Sequence, residues 1–155
     1  MIRRTKILIA MAALPLAPAA AQQGAGERDA QARLPQGRSA LWTTLRATRI
    51  DEDDARGIFT AVHPPAVKAL VGRTLALPGF IMPLDAAARG SHFLLSKYTP
   101  VCAFCPPGGP NEVVEVHTAR PIAFTGKLVT VTGRFGLENN GENGLFFQMT
   151  GAEVR

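Results

Sequence analysis

The two cysteines of the chain, Cys102 and Cys105, are separated by two residues in the proline-rich stretch YTPVCAFCPPGGPNEVVEV (98–116). Two thiols at this spacing can close a small structural disulfide. They can also supply half of a tetrahedral zinc site or the whole of a linear copper(I) site, or exchange disulfides with a partner. The pair is therefore compatible with three kinds of site: a structural disulfide, a metal site and a thiol redox centre.

The prolines after the cysteines exclude two known motifs. Pro106 directly follows Cys105, and together with Pro107 and Gly108-Gly109-Pro110 it prevents an ordinary helix from starting there. A thioredoxin-like centre needs its first cysteine at a helix N-terminus within a βαβ pattern, and covalent haem needs a histidine at the position of Pro106. A redox role would therefore use another fold.

The same stretch predicts a stiff loop. Its prolines restrict the backbone, its glycines permit a bend, and its asparagine can hydrogen-bond neighbouring backbone where the next strand starts. A pre-ordered loop loses little entropy on binding, so we predict a binding or redox loop here, with the two thiols as candidate ligands for zinc or copper(I). Its residues are Cys102, Cys105, Pro106, Pro107, Pro110 and Asn111.

Two histidines lie on the predicted strands that this loop connects. If those strands pair as a hairpin, Tyr98 lies near Glu112, and His92 and His117 lie together at the other end of the ladder, roughly 20 Å from the cysteines. One site containing both pairs is therefore excluded in a monomer. The histidines could share a surface metal, but solvated residues at the strand ends are the favoured interpretation.

No pattern supports catalysis. Asp85 and Glu115 have no partner carboxylate at a fixed spacing, and the chain has neither a Gly-x-Ser-x-Gly motif nor a Gly-rich phosphate loop. The prediction is a binding protein rather than an enzyme.

The N-terminus has the features of a secretory signal peptide. Arg3, Arg4 and Lys6 precede an apolar run over residues 7–17, and a small-residue stretch ends at Ala21, after which we expect cleavage. No other segment is long and apolar enough to be transmembrane. The mature protein is therefore predicted to be periplasmic, in a compartment that permits disulfides.

Export also changes the charge of the chain. The leader holds three of the 17 Lys and Arg residues and no acidic residue, so the mature chain carries 14 basic against 12 acidic residues. A net charge of +2 does not provide the concentrated basic patch that nucleic-acid binding needs.

The mature chain divides into three parts by composition. Residues 22–40 are small and polar and predict a flexible linker. Residues 41–62 predict a helical or irregular lead-in, with Trp42 and Leu45 docked on the core. Residues 63–155 form the predicted β domain.

One short helix and five strand-like runs are predicted in this domain. The helix lies within HPPAVKALVG (63–72), where Gly72 is placed to end it. The runs are RTLALPGFIMPL (73–84), SHFLLSKY (91–98), EVVEVH (112–117), KLVTVTGRF (127–135) and GLFFQMTGAEV (144–154).

These elements predict a mainly β fold: a small five-stranded OB-like barrel with one short helix, preceded by the signal peptide and the flexible segment. A five-stranded sandwich is the alternative. Pro78-Gly79 predicts a bulge or bend in the first run. The inward-pointing side chains should be Val114, Val116, Val129, Val131, Phe147 and Met149.

Three sequence elements resemble a known family. GF-x-x-PL (79–84), C-x-x-x-PP-x-x-PN (102–111) and V-x-V-x-G (129–133) are similar to a family of small exported bacterial proteins known as a domain of unknown function, over roughly residues 63–155. The matching positions are Gly79, Phe80, Pro83, Leu84, Cys102, Pro106, Pro107, Pro110 and Asn111.

The resemblance implies a transport association. Members carry a leader peptide, and some are encoded beside ABC-transporter components, including systems linked to uptake of zinc or other metals. We therefore predict an exported, non-catalytic binding or accessory module whose partners are membrane transporter components. The alternative is a periplasmic thiol–disulfide redox protein that uses Cys102 and Cys105.

Overall fold

The structure, a computed structural model, describes residues 29–101 and 107–155. Its helices include α1 (Ala40–Arg46) and α2 (Pro65–Lys68), with a 3-10 helix at Pro110–Glu112 and a further helical stretch at residues 29–33. Its strands are β1 (Arg49–Asp53), β2 (Ile58–Val62), β3 (Thr74–Pro83), β4 (Arg89–Ser96), β5 (Val113–Ala123), β6 (Val129–Asn140) and β7 (Leu145–Val154).

Five strands close into a barrel in the order β3-β4-β5-β7-β6. All neighbours in the barrel are antiparallel except β5 and β7, whose parallel pairing joins the third and fifth barrel strands. This is the connectivity of a five-stranded Greek-key barrel of the OB type. The predicted fold class is confirmed, and the alternative of a sandwich is wrong.

Strand β3 runs without interruption through Pro78-Gly79, where the sequence predicts a bulge or bend. Instead the strand changes partner there: residues up to Gly79 pair with β6, and residues from Phe80 onward pair with β4. A Cβ at position 79 would lie 2.7 Å from the carbonyl oxygen of Ser96, so glycine permits this crossing of strands.

The barrel interior is filled by the alternating apolar residues of its strands. All six side chains predicted to point inward are buried: Val114, Val116, Val129, Val131, Phe147 and Met149. A second, separate apolar cluster contains Met82, Leu94 and Val113, with Leu145 packed against it. On β4 its member Leu94 alternates with the core residues Phe93 and Leu95, so this cluster lies on the outside of the barrel.

The segment 41–62 is more regular than predicted. Helix α1 docks as expected, since Trp42 is buried and its Nε1 donates a hydrogen bond of 2.7 Å to the carbonyl oxygen of Pro78. The rest forms a β1–β2 hairpin, which the sequence analysis missed because polar residues occupy most of β1. Gly57, at φ +64°, permits its turn.

The described part of the predicted linker also contacts the barrel. Residues 29–33 are helical, Gln36 forms an isolated bridge with Tyr98, and the Gly37 N–H donates to the Lys97 carbonyl at 2.7 Å. Backbone pairing of this kind needs no apolar side chains, so composition alone did not predict it.

Helix α2 is shorter than the run predicted for it, and Gly72 lies just beyond it with φ +77°. The predicted signal peptide, residues 1–21, lies outside the described residues. Within the described ranges, no helix combines the length and apolar composition needed to cross a bilayer.

Candidate functional site

The structure describes only part of the predicted cysteine loop. Pro107, Pro110 and Asn111 are described, whereas Cys102, Cys105 and Pro106 lie outside the described residues. The three interpretations of the cysteine pair therefore stay predictions. The structure does describe the residues on either side of the cysteines, which form the two ends of the loop.

A single carboxylate joins those two ends. The Tyr98 hydroxyl donates a hydrogen bond of 2.7 Å to Oε1 of Glu112, and the Gly109 N–H donates one of 3.2 Å to Oε2. The predicted proximity of Tyr98 and Glu112 is confirmed. Because one residue precedes the cysteines and the other two follow them, this contact fixes the base of the loop.

Two cations surround the same carboxylate. Arg46 Nε lies 2.9 Å from Glu112 Oε1, and Lys97 Nζ lies 3.8 Å from it. Burial, with the hydrogen bond to Glu112 as the next cause, raises the pKa of Tyr98 to about 12. Burial also lowers the pKa of Lys97, against the attraction of Glu112.

Asn111 extends this base to the lead-in helix. Its Nδ2 donates to the carbonyl oxygens of Arg46, at 3.2 Å, and Thr48, at 3.0 Å. These bonds satisfy carbonyls at and just after the C-terminal end of α1, so Asn111 anchors the loop to the lead-in helix.

Three of the four matching residues of the GF-x-x-PL element lie in barrel strand β3. Gly79 is at the strand crossing, Phe80 is buried, and Pro83 ends β3. Leu84 follows the strand and is exposed.

Three side chains with metal-binding donors meet on the outer face of β4 and β5. His92 and His117 are register partners, and their rings stack with centroids 4.3 Å apart and planes 17° apart. Glu115 precedes His117 by two residues, so the alternation of β5 places both side chains on the same face. We call these three residues the His–Glu–His site.

The histidines lie within their strands and not at the strand ends, which corrects the prediction. β4 begins three residues before His92, and β5 continues from His117 to Ala123. The sequence HTARPIA does not alternate apolar and polar residues, and the ladder has an irregularity between Gly90 and His92. For these reasons the extension of the hairpin was not predicted.

The three donors of the His–Glu–His site lie close together, and two of them are hydrogen-bonded. His92 Nε2 forms a hydrogen bond of 2.6 Å with Oε1 of Glu115, His117 Nε2 lies 3.7 Å from the same oxygen, and all three ligand atoms lie within 4.8 Å of one another. Ligands of a tetrahedral zinc ion lie roughly 3.4 Å apart, given zinc–nitrogen and zinc–oxygen bonds near 2.0–2.1 Å. Small side-chain rotations would therefore bring the three donors to bonding distance.

The site opens to solvent on one side. The side chains of His92 and His117 are 46% and 44% exposed, whereas that of Glu115 is 18% exposed. An ion could therefore reach the imidazole nitrogens from outside, while the carboxylate is held between them. Three protein donors would leave a tetrahedral ion one open position.

The third histidine has a structural role. His63 precedes α2, as predicted, and its Nδ1 lies 3.2 Å from Thr48 Oγ1, with the rings of Phe146 and Phe147 beside it. Burial, and next the charge of Lys68, lower the pKa of His63. His63 is not one of the three residues of the His–Glu–His site, so a substitution of His63 is a control for substitutions in that site.

Sequence reasoning considered the two histidines but missed Glu115. The signal was present, because Glu115-x-His117 is an alternating pair on a predicted strand and His92 lies on the strand expected to pair with it. The predicted proximity of His92 and His117 is confirmed, since the two residues are register partners. What was not predicted is that Glu115 joins them as a third donor.

Comparisons with known proteins identify relatives without an established activity. The sequence model of DUF3299, described as a protein of unknown function, matches residues 16–147. The fold is similar to the crystal structure of a DUF3299 family protein from Pseudomonas aeruginosa PAO1, with 26% identity and a TM-score of 0.50, over 79% of this chain and 81% of that chain. A search among curated proteins found no match.

Proposed function

The chain belongs to the DUF3299 family of proteins of unknown function, and we propose that it is an exported, non-catalytic accessory module that binds a divalent transition metal. The ligands are His92, Glu115 and His117, and zinc is the first candidate ion. The module would serve a metal-related transport system in the cell envelope.

The observation that carries the proposal is the convergence of two imidazoles and one carboxylate on one strand pair. Two nitrogen donors favour zinc, copper(II) or nickel over calcium and magnesium, which take oxygen ligands. The three side chains also lie on β4 and β5, the second and third barrel strands, whose outer face OB-type barrels commonly use for binding.

An ion would use all three donors of the site. Within residues 29–101 and 107–155, the His–Glu–His site is the one group of three His, Cys, Asp or Glu side chains whose ligand atoms lie within 4.8 Å of one another. Glu115 would be occupied as a ligand and would not be free to accept a proton as a general base.

Three arguments support a transport role. The N-terminal sequence has the pattern of an export signal, and the resemblance noted in the sequence implies that some members of the family are encoded beside ABC-transporter components. A three-donor, solvent-facing site also suits an ion that must be acquired and released, since structural zinc is usually enclosed by four protein ligands.

The test is calorimetric titration of the mature protein with Zn²⁺. We expect one ion per chain, and we expect His92→Ala, His117→Ala and Glu115→Gln each to weaken binding by roughly 100-fold or more, because loss of even an outer-shell partner of a metal ligand costs about 10–100-fold in affinity. His63→Gln and Glu153→Gln are the matched controls, because they remove the same chemical groups elsewhere. If the wild type binds no zinc, or if all five variants bind alike, the metal function is wrong.

A further inference from the structure

The His–Glu–His site borders an apolar pocket on the same outer face of the barrel. Leu94 follows His92 by two residues, and Val113 precedes Glu115 by two, so all four side chains share one face of the strand pair. Leu94 and Val113 are also walls of a pocket of about 230 Å³. Two residues along a strand correspond to roughly 7 Å, so the metal site and the pocket adjoin.

The pocket is built by three separate parts of the chain. Phe59 of β2 forms one wall, Gly108–Pro110 at the base of the cysteine loop form another, and the turn before Leu145 forms the third. Leu94, Val113 and Leu145 belong to the outer apolar cluster, which supports its floor. The pocket is therefore formed by the packing of three separate chain segments and not by a single loop.

A glycine keeps the pocket open. Gly144 has φ +64°, and a Cβ there would lie 3.2 Å from Pro110 Cγ and 3.4 Å from Phe59 Cδ2. Any other residue would both strain the turn and enter the space between Pro110 and Phe59.

The size of the pocket indicates its occupant. Pockets for drug-sized molecules usually measure about 300–1,000 Å³, so a volume of about 230 Å³ suits an apolar side chain better than a whole organic molecule. An ion held by the three donors of the adjoining site would have one position left for a ligand from outside. The combined surface therefore fits an apolar side chain and a metal-coordinating group roughly 7 Å apart.

We propose that the metal site and this pocket together form the docking site for a partner protein segment that carries a histidine beside an apolar side chain. The inference rests on the proposed metal function. The partner's imidazole nitrogen replaces solvent at the fourth position of the ion, and its apolar side chain enters the pocket between Phe59, Leu94 and Leu145. The ion is then shared by two proteins, which is the arrangement that transfer between them requires.

The experiment uses Co²⁺ as a spectroscopic substitute for zinc and short peptides as probes. The Co²⁺-loaded mature protein is titrated with acetylated, amidated His-Gly-Leu and Leu-Gly-His, and with His-Gly-Gly and Gly-Gly-His as matched controls. Binding is followed in the visible absorption of the cobalt ion, which changes when imidazole enters its coordination sphere. At least one leucine peptide should bind roughly tenfold or more tightly than its glycine control, as burial of one leucine side chain predicts.

Two variants test whether the pocket causes the difference. Leu145→Ser removes part of the apolar lining, and Asn143→Trp places a large side chain at the exposed turn that borders the pocket. Both should keep the affinity for Co²⁺ and for the glycine peptides but lose the advantage of leucine.

The outcomes separate this inference from the proposed function. If Co²⁺ does not bind, the metal function fails, and the docking site fails with it. If Co²⁺ binds but no peptide changes its spectrum, or leucine and glycine peptides bind alike, the docking site alone is wrong. A leucine advantage that survives in both pocket variants also overturns it.

Discussion

The Tyr98 hydroxyl donates a hydrogen bond of 2.7 Å to Oε1 of Glu112, across the two ends of the loop that carries the cysteines. The same oxygen faces Arg46 of α1, so one carboxylate connects the loop, the barrel and the lead-in helix. The base of the loop is thus fixed by part-buried polar contacts that do not involve the cysteines.

The ionisation of Tyr98 should report this contact directly. Tyr98 is the one tyrosine of the chain, and its pKa is raised from 10.0 to about 12 in the fold, first by burial. The tyrosinate absorbance should therefore titrate near pH 12 in the native protein and near 10 in urea.

This shift has a definite consequence for stability. A raised pKa in the folded state stabilises the fold below pH 10, and that contribution is lost as the pH rises from 10 towards 12. Tyr98→Phe should remove this part of the alkaline loss, which urea denaturation at a series of pH values measures. If the free energy of unfolding falls equally steeply with rising pH in the wild type and in Tyr98→Phe, the raised pKa of Tyr98 does not contribute to stability.

Removal of the Glu112 carboxylate should destabilise the protein. Glu112→Ala deletes the acceptor of Tyr98 and Gly109 and leaves Lys97, whose side chain is 13% exposed, without its neighbouring negative charge. We expect a loss of about 2–3 kcal/mol in the free energy of unfolding, since charged hydrogen bonds contribute roughly 1.5–3 kcal/mol. Urea denaturation followed by Trp42 fluorescence measures it.

Glu153→Ala provides the control for that variant. Its carboxylate lies 3.5 Å from Arg155 on the exposed surface, and such pairs contribute about 0–1 kcal/mol. If the two alanine variants lose the same stability, the carboxylate at the loop base has no special structural role.

The strand crossing at Gly79 should not tolerate a methyl group. A Cβ there would lie 2.7 Å from the Ser96 carbonyl oxygen and 2.8 Å from the side chain of Leu95. Gly79→Ala should lower the free energy of unfolding by about 1–3 kcal/mol through overpacking. Gly126→Ala, where a Cβ would have no neighbour within 4 Å, should change it by less than about 0.5 kcal/mol. A neutral Gly79→Ala would mean that the strands can separate at low cost.

The cysteine pair and the His–Glu–His site should act separately. The histidines pair at His92↔His117, several residues along the ladder from Ser96↔Val113, where the strands lead into the loop. Cys102→Ser/Cys105→Ser should therefore keep one Zn²⁺ per chain in metal analysis. A loss of zinc in this variant would instead make the thiols ligands, as the alternative interpretation of the sequence holds.

The redox alternative has its own measurement. Thiol titration of the mature protein in glutathione buffers separates a disulfide that persists from one that exchanges readily. Ready exchange would favour the thiol–disulfide function, whereas a persistent bond would indicate a structural disulfide.

Much of the fold could be predicted because short-range patterns encode it. Alternation in runs such as KLVTVTGRF determines which side chains face inward, and this interior is what closes the barrel. The β1–β2 hairpin could not be predicted in this way. Its strands are largely exposed, so backbone hydrogen bonds and a turn, rather than an apolar pattern, define it.

The sequence by itself determined that Glu115 and His117 share one face of a strand, since a spacing of two residues leaves no other choice. It also predicted that no ordinary α-helix begins directly after Cys105, because two successive prolines lack the N–H and restrict the backbone. The hairpin inferred from the sequence also placed His92 beside His117, and the observed register confirms this. Only the tertiary structure decided that the two rings stack and that Oε1 of Glu115 lies 2.6 Å and 3.7 Å from their Nε2 atoms. These contacts depend on how side chains pack across a strand pair, which local sequence does not determine.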